Sequence, residues 1–188
     1  MSLHPATHTQ GLPQFCVDVL DQALALVALH DAPGAPDYAV PVGAHLRHVI
    51  EHCEALVFPK QTGVVDYDQR PRDRELERQP ALARVRLMAL QIRLRTWTDV
   101  QLTAPVQLRG LGGLAGDFGF VVQSTVGREL VFVASHAIHH YALLQAHCKQ
   151  HGLLTETHFG RAPATVAHER SAPPVSPQPL LKETPCTV

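Results

Sequence analysis

One long segment constrains the fold of this chain more than any other. Apolar residues recur at helical spacing through TVGRELVFVASHAIHHYALLQAHCKQHG, 125–152. Ser124 or Thr125 can cap its first turn, and Gly152 suits the position just after its last turn. A long helix with an apolar stripe needs other elements to cover that stripe. The segment therefore predicts a helix packed into a larger helical core.

Three further segments show the same helical period, and two connections separate them. The predicted helices are 12–31, 42–58 and 80–97, and a long polar connection spans 59–79. The residues 99–123 could form a β-hairpin or an ordered loop. We therefore predict an all-α protein, a four-helix bundle with long crossover connections. The bundle could also contain a small β-hairpin before the last helix, and the sequence leaves this alternative open.

The length of 188 residues suits one domain with a substantial core. We predict a helical domain over 1–169 and a Pro/Ser-rich tail over 170–188 that does not pack on its own. Four cysteines show no CxxC spacing, and we interpret those in helical segments as buried free thiols.

The composition bears on location and partners. The N-terminal residues lack a basic region followed by an apolar run, so no signal peptide is predicted. No unbroken run of about 18 apolar residues exists, so we predict no membrane-spanning helix and a cytoplasmic protein. The net charge is −1 and aromatic residues make up 5%, which argues against binding to nucleic acid or to an anionic membrane.

Two of the three histidines in SHAIHH, 135–140, lie one turn apart. His136 and His140 differ by about 40° around the axis and about 6 Å along it, so they point the same way. Paired histidines at this spacing bind zinc on other helices. His139 lies about 60–100° away and is interpreted as a supporting or surface residue. The pair alone is weak evidence, because ordinary polar histidines can share this spacing.

The second predicted helix offers a further ligand from HLRHVIEH, which contains His45, His48 and His52. One of them together with the last-helix pair would supply three nitrogen ligands and leave a position open for water or substrate. Periodicity slightly favours His45 or His52, which lie nearer the apolar stripe than His48. The residues alone leave the choice open, and the alternative is a polar helix surface.

Four separated segments, in order, resemble the DinB/YfiT-like superfamily of small four-helix-bundle metalloproteins, the damage-inducible type. The resemblance covers most of residues 12–165. The segments are GAHLRHVIEHCE at 43–54, DYDQRPRD at 66–73, STVGRELVFVASHAIHHYALL at 124–144 and HFGRAPAT at 158–165. In that superfamily one histidine comes from the second helix and a HxxxH pair comes from the last.

The resemblance implies a metal site and a range of reactions. Its histidine pattern matches His48, His136 and His140, and zinc or nickel are the divalent ions that we expect there. It also implies a metal-dependent enzyme, either a hydrolase or a thiol-dependent transferase, acting on an unknown small molecule, and a homodimer. The alternative is a non-catalytic, stress-linked module that binds a metal or a small molecule.

The polar connection carries a dense group of charged residues between Asp66 and Glu77. In the functional interpretation Tyr67 and Arg70 or Arg72 line the cavity and bind substrate, with the arginine holding a carboxylate through two hydrogen bonds. Of the two arginines, Arg70 is the predicted substrate-binding residue. In the structural interpretation the connection is a loop held by its own ion pairs. Both interpretations stay open from the residues alone.

Overall fold

The computed structural model describes residues 11–171. The predicted tail is therefore outside the described residues except for its first two positions, and so is Cys186. The described helices are α1 Leu12–His30, α2 Ala44–Val57, α3 Arg74–Arg78, α4 Pro80–Leu94, α5 Asp99–Thr103, α6 Val126–Gln150 and α7 Pro163–Ser171, with a π-helical turn at Ala39–Gly43 before α2. The strands are β1 Val64–Asp66, β2 Pro105–Gly112 and β3 Phe118–Thr125.

The four long helices correspond to the four predicted helices and enclose the core. Helix α1 packs against α4 and α6, and α2 packs against the same two helices. Their stripes of leucine, valine and alanine are fully buried at positions such as Leu20, Leu46, Leu87 and Leu144. Because α2 and α6 are in direct contact, histidines on both helices can meet between them.

The predicted all-α class is wrong, because the chain also forms a three-stranded mixed sheet. Strand β1 pairs in parallel with β2, and β2 pairs antiparallel with β3. The β2–β3 hairpin is the alternative that the sequence left open for 99–123. Strand β1 was missed because three residues are too few to show an alternating pattern. Its central residue, Val65, is buried and pairs with Leu108, more than forty positions further along the chain.

The two ends of α6 follow the sequence signals. Thr125 is the N-cap, and its Oγ1 accepts a hydrogen bond from the backbone N–H of Arg128 at 3.2 Å. Gly152 has a φ of 65°, and the N–H of Leu153 reaches back to the carbonyl of Cys148 at 2.9 Å. This is the C-terminal arrangement that favours glycine at the first left-handed residue. The predicted cap and stop are both confirmed.

The HFGRAPAT segment packs against α6. Phe159 is buried, and its ring stacks on that of Tyr141 with centroids 5.5 Å apart. Gly160 has a φ of 63°, and a Cβ at this position would lie 2.5 Å from the backbone nitrogen of Ala142. Only glycine allows the segment to approach the helix this closely, which explains the local sequence.

Helix α1 is the one described helix that is long and apolar enough to cross a membrane. It has 19 residues and a mean hydropathy of 1.5, although polar residues interrupt its apolar run. Buried positions make up 44% of the tested window, and the core helix of a soluble protein passes the same test. The absence of a spanning helix and the cytoplasmic location remain predictions.

Three of the four cysteines are described, and their thiols are free and buried, as predicted. The thiol of Cys53 on α2 interacts with that of Cys16 on α1, and this contact and burial raise the pKa of Cys53. Both thiols therefore belong to the packing between the two helices.

Candidate metal centre

Three histidines from two helices converge between α2 and α6. Each of His48, His136 and His140 offers one ligand nitrogen, and these atoms all lie within 4.8 Å of one another. The Nε2 atoms of His48 and His136 are 2.9 Å apart. Tetrahedral zinc with bonds of about 2.0–2.1 Å requires nitrogen separations of about 3.3 Å. Small side-chain movements suffice to reach that spacing, so this three-histidine group could hold a metal ion.

The environment keeps these imidazoles neutral, which is the form that binds a metal. Burial, followed by the positive charges of nearby imidazoles and Arg70, lowers the pKa of His48 to about 3. Burial and the neighbouring histidines lower the pKa of His140 to about 4. The pKa of His136 is lowered by the same desolvation. Protons therefore compete little for these nitrogens at neutral pH.

A fourth histidine, His45, contacts the three-histidine group at His140. The Nδ1 of His45 lies 2.8 Å from the Nδ1 of His140, so one of these two atoms donates a proton to the other. With that proton on His140, its Nε2 keeps the lone pair needed to bind a cation. The outer partner of a metal-binding histidine fixes the ring in this way in many metal sites. His139, the residue directly before His140 on α6, is by contrast exposed.

Arg70 lies against the far side of the group. Its Nη1 is 2.7 Å from the Nδ1 of His48 and 2.8 Å from the Nδ1 of His52. The Nδ1 of His52 also lies 2.7 Å from the carbonyl oxygen of His48, which can only accept, so we assign the His52 proton there. Arginine can only donate, so Nδ1 of His48 is the acceptor for Arg70.

This assignment fixes the proton of His48. A neutral ring that accepts at Nδ1 carries its hydrogen on Nε2, which then donates to His136. A cation bound through Nε2 of His48 requires the opposite tautomer, with the hydrogen on Nδ1. Arg70 would then face a donor and would need a different acceptor. A cation bound by the three-histidine group would therefore break the hydrogen bond from Arg70 to His48.

Tyr67 lies beside the group, but its hydroxyl is already engaged. It donates to Oε2 of Glu129 at 2.8 Å, while Oε1 of this fully buried glutamate accepts from Ser124 and Arg128. The ring of Tyr67 stacks on that of His52, with centroids 5.4 Å apart. Burial, followed by Glu129, raises the pKa of Tyr67. The ring of Tyr67 therefore packs beside the three-histidine group while its hydroxyl is held by Glu129. Substrate binding by Tyr67 and Arg70 stays a prediction.

The acidic residues of the connection are largely used within the protein. Asp66 accepts hydrogen bonds from two backbone N–H groups of its own turn. Asp73 caps α3 and also pairs with Arg86, while Glu77 pairs with Arg47. The structural interpretation of the connection therefore accounts for most of its charges.

Sequence reasoning missed two features near this centre. The contact of Arg70 with His48 joins residues 22 positions apart, and no local pattern signals it. The burial of Glu51 was only weakly indicated by the sequence. The one indication is that Glu51 directly follows Ile50, which belongs to the buried stripe of α2. His30 on α1 and His147 on α6 form a second histidine contact, with ring centroids 5.8 Å apart.

The fold and the centre thus define a protein of helices and a small mixed sheet with a three-histidine group that could hold a metal. No protein-family model matches the chain. No solved structure matches it either. Over 117 residues the chain is 34% identical to FK506-binding protein 5 of Rhizopus delemar. The match covers 61% of this chain and 30% of that protein, so the chain spans under a third of the relative's length.

Proposed function

We propose that this chain is a divalent-metal-binding protein of the DinB/YfiT-like type and a metal-dependent enzyme acting on a small molecule. The observation that carries the proposal is the mutual approach of the ligand nitrogens of His48, His136 and His140 within 4.8 Å. Three neutral imidazoles suit zinc or nickel, and three protein ligands leave a position for water or substrate.

The proposed chemistry is hydrolysis or a thiol-dependent transfer. When bound, the ion supplies a Lewis acid that lowers the pKa of a water molecule to about 7 or stabilises a thiolate. The three histidines hold it, and His45 orients the ring of His140 through the 2.8 Å contact between their Nδ1 atoms. Arg70 lies beside His48 and can hydrogen-bond an anionic group of the substrate.

Metal content, measured by elemental mass spectrometry, tests the proposal. The wild type should carry about one zinc or nickel ion per chain. The variants His48→Ala, His136→Ala and His140→Ala should lose it, whereas the exposed His139→Ala should retain it. A wild type that stays without metal after reconstitution with either ion would overturn the proposal.

The alternative is a non-catalytic module that binds a metal or a small molecule. The 34% identity to FK506-binding protein 5 favours one specific version of it, in which the small molecule is FK506. Titration of FK506 with the fluorescence of Trp97 as the readout tests that version directly. Saturable binding with no hydrolase or transferase activity in the metal-loaded protein would favour the module over the enzyme.

The remaining expectations are also proposals. Homodimerisation, a cytoplasmic location and the absence of nucleic-acid partners follow from the resemblance and the composition. Sedimentation of the purified chain tests the first of these. A single species at the monomer mass across micromolar concentrations would remove the dimer.

A further inference from the structure

A pocket of about 500 Å³ opens next to the three-histidine group, on the other side of Arg70. Its volume lies within the range of small-molecule sites in proteins. We call it the side pocket, and its lining includes Glu51, Ala55, Phe58, Lys60, Arg70 and Arg109. Arg70 lines this pocket and contacts His48, so the side pocket and the three-histidine group share one residue.

The side pocket contains a buried carboxylate that lacks part of its hydrogen bonding. Glu51 is 1% exposed, and its Oε1 accepts from the backbone N–H of Asp73 at 2.7 Å. Its Oε2 is buried with no hydrogen-bond partner among the described residues. Leaving a buried charged oxygen unpaired is costly, so such atoms are normally matched by a donor. A ligand that brings an N–H group would supply the missing donor.

The other acids of the pocket are already held by protein donors, whereas two of its cations, Lys60 and Arg109, are only partly used. Glu54 is held by two nitrogens of Arg86, and Asp66 accepts from its own turn. Lys60 donates to one backbone carbonyl, and Arg109 makes a single hydrogen bond to Gln107 at 3.3 Å. Both of these cations keep further N–H groups for a ligand.

Part of the lining of the side pocket is apolar. Ala55, Phe58, Val64 and Pro71 line the pocket together with the charged residues. Phe58 is 48% exposed, which leaves an aromatic surface for a ligand to cover. An aliphatic segment of a ligand can therefore pack against this apolar part of the lining.

We infer that the side pocket binds a small aminocarboxylate, with its protonated amine at Glu51, its aliphatic segment on Ala55 and Phe58, and its carboxylate at Lys60 and Arg109. The site needs no metal ion, so the inference stands independently of the proposed metal centre. Where both are present, Arg70 connects the ligand to the three-histidine group.

The test uses 6-aminohexanoate as the probe, with hexanoate and hexylamine as compounds that each lack one charged end. Affinities are measured by titration of the full chain, followed by NMR at the amides of Ala55 and Val64. We expect 6-aminohexanoate to bind at least about tenfold more tightly than either comparison compound, because each charged hydrogen bond contributes that much. Metal content of the same samples is measured alongside.

Two variants assign the ends of the ligand. Glu51→Gln keeps the acceptor for Asp73 and should remove the advantage of 6-aminohexanoate over hexanoate. Arg109→Gln changes an exposed residue, so it should fold, and it should weaken both carboxylates while leaving hexylamine unchanged. Glu75→Gln replaces an exposed acid outside the pocket and should change nothing.

The outcomes separate this inference from the proposed function. Equal binding of the three probes, no binding, or an unchanged preference in Glu51→Gln would overturn the inference even if zinc is present. If Glu51→Gln fails to fold, an unchanged affinity for hexanoate in Arg109→Gln would overturn it instead. Selective binding in a chain that stays without metal after reconstitution with zinc and nickel would support the inference and overturn the proposed function.

Discussion

Two histidine contacts form between helices of this protein, and they differ in what surrounds the ring nitrogens. In the three-histidine group the ligand atoms converge within 4.8 Å. The second contact, the histidine pair, consists of His30 at the end of α1 and His147 near the end of α6. Its rings stack with centroids 5.8 Å apart and an angle of 14° between their planes. Both Nε2 atoms of the pair are buried and have no partner among the described residues.

The difference shows that burial alone does not make a metal centre. His30 is only 8% exposed and is thus more buried than the members of the three-histidine group, whose burial is intermediate. Its Nδ1 donates to the carbonyl of Leu26 at 2.9 Å, which fixes the ring along its own helix. Convergence of several lone pairs on one point matters more, and here it requires two ligands on one turn of α6 facing a third on α2.

The largest expected effect separates the two contacts by their response to zinc. Zinc at about a hundred times its dissociation constant should stabilise the wild type by about 2.7 kcal/mol. His136→Ala should abolish this stabilisation, because it removes one of three ligands. His147→Ala should retain it. Thermal denaturation with and without zinc measures both, and an equal loss in the two variants would show that the contacts do not differ in metal binding.

Much of this arrangement was predictable from the sequence. Helical spacing predicted the four long helices, and the i, i+4 relation placed His136 and His140 on one side of α6. The residues alone left the choice between His45, His48 and His52 open, and periodicity slightly favoured His45 or His52, which lie nearer the apolar stripe than His48. The resemblance selected His48, and the structure brings this residue to the pair on α6.

The rest depends on contacts between distant segments. The sheet needs β1 and β2 to pair across more than forty residues, and a three-residue strand carries no pattern of its own. His30 and His147 lie on apolar helix faces just as His136 and His140 do. Helical periodicity therefore cannot distinguish the histidine pair from the three-histidine group. Only the packing of the helices decides which lone pairs meet.

The second prediction asks whether His45 separates the two contacts by orienting a ligand. His45→Ala removes the partner of Nδ1 in His140 and should weaken zinc binding by about tenfold, at the lower end for such outer partners. The neighbouring exposed residue provides the control, because His139→Ala should leave the affinity unchanged. Competition with a chromophoric chelator measures the affinity. Equal affinity in His45→Ala and the wild type would mean that packing alone orients His140.

The third prediction concerns pH in the presence of a chelator. The pKa of His48 is lowered to about 3 in the folded protein, while its ordinary value is 6.5. The unfolded chain therefore binds a proton that the folded chain does not, and stability falls as the pH drops from about 6.5 towards about 3. The slope of stability against pH measures how many more protons the unfolded chain binds than the folded chain. His48→Gln should lower this number by up to about one proton per molecule. Urea denaturation at several pH values measures the slope.

An unchanged slope would contradict this prediction. If His48→Gln gave the same slope as the wild type, protonation of His48 would not oppose folding, and the neutral state of the three-histidine group would lose its support.

The smallest expected effect tests the histidine pair itself. His147→Leu replaces a partly buried imidazole, whose buried Nε2 lacks a partner, by an apolar side chain of similar size. Removing an unpaired buried polar group should raise the free energy of unfolding by about 1 kcal/mol, measured in urea with a chelator present. His140→Leu should have the opposite sign, because it leaves Nδ1 of His45 without its partner. A loss of stability in both variants would mean that the pair is satisfied in solution, and the contrast between the two contacts would then rest on metal binding alone.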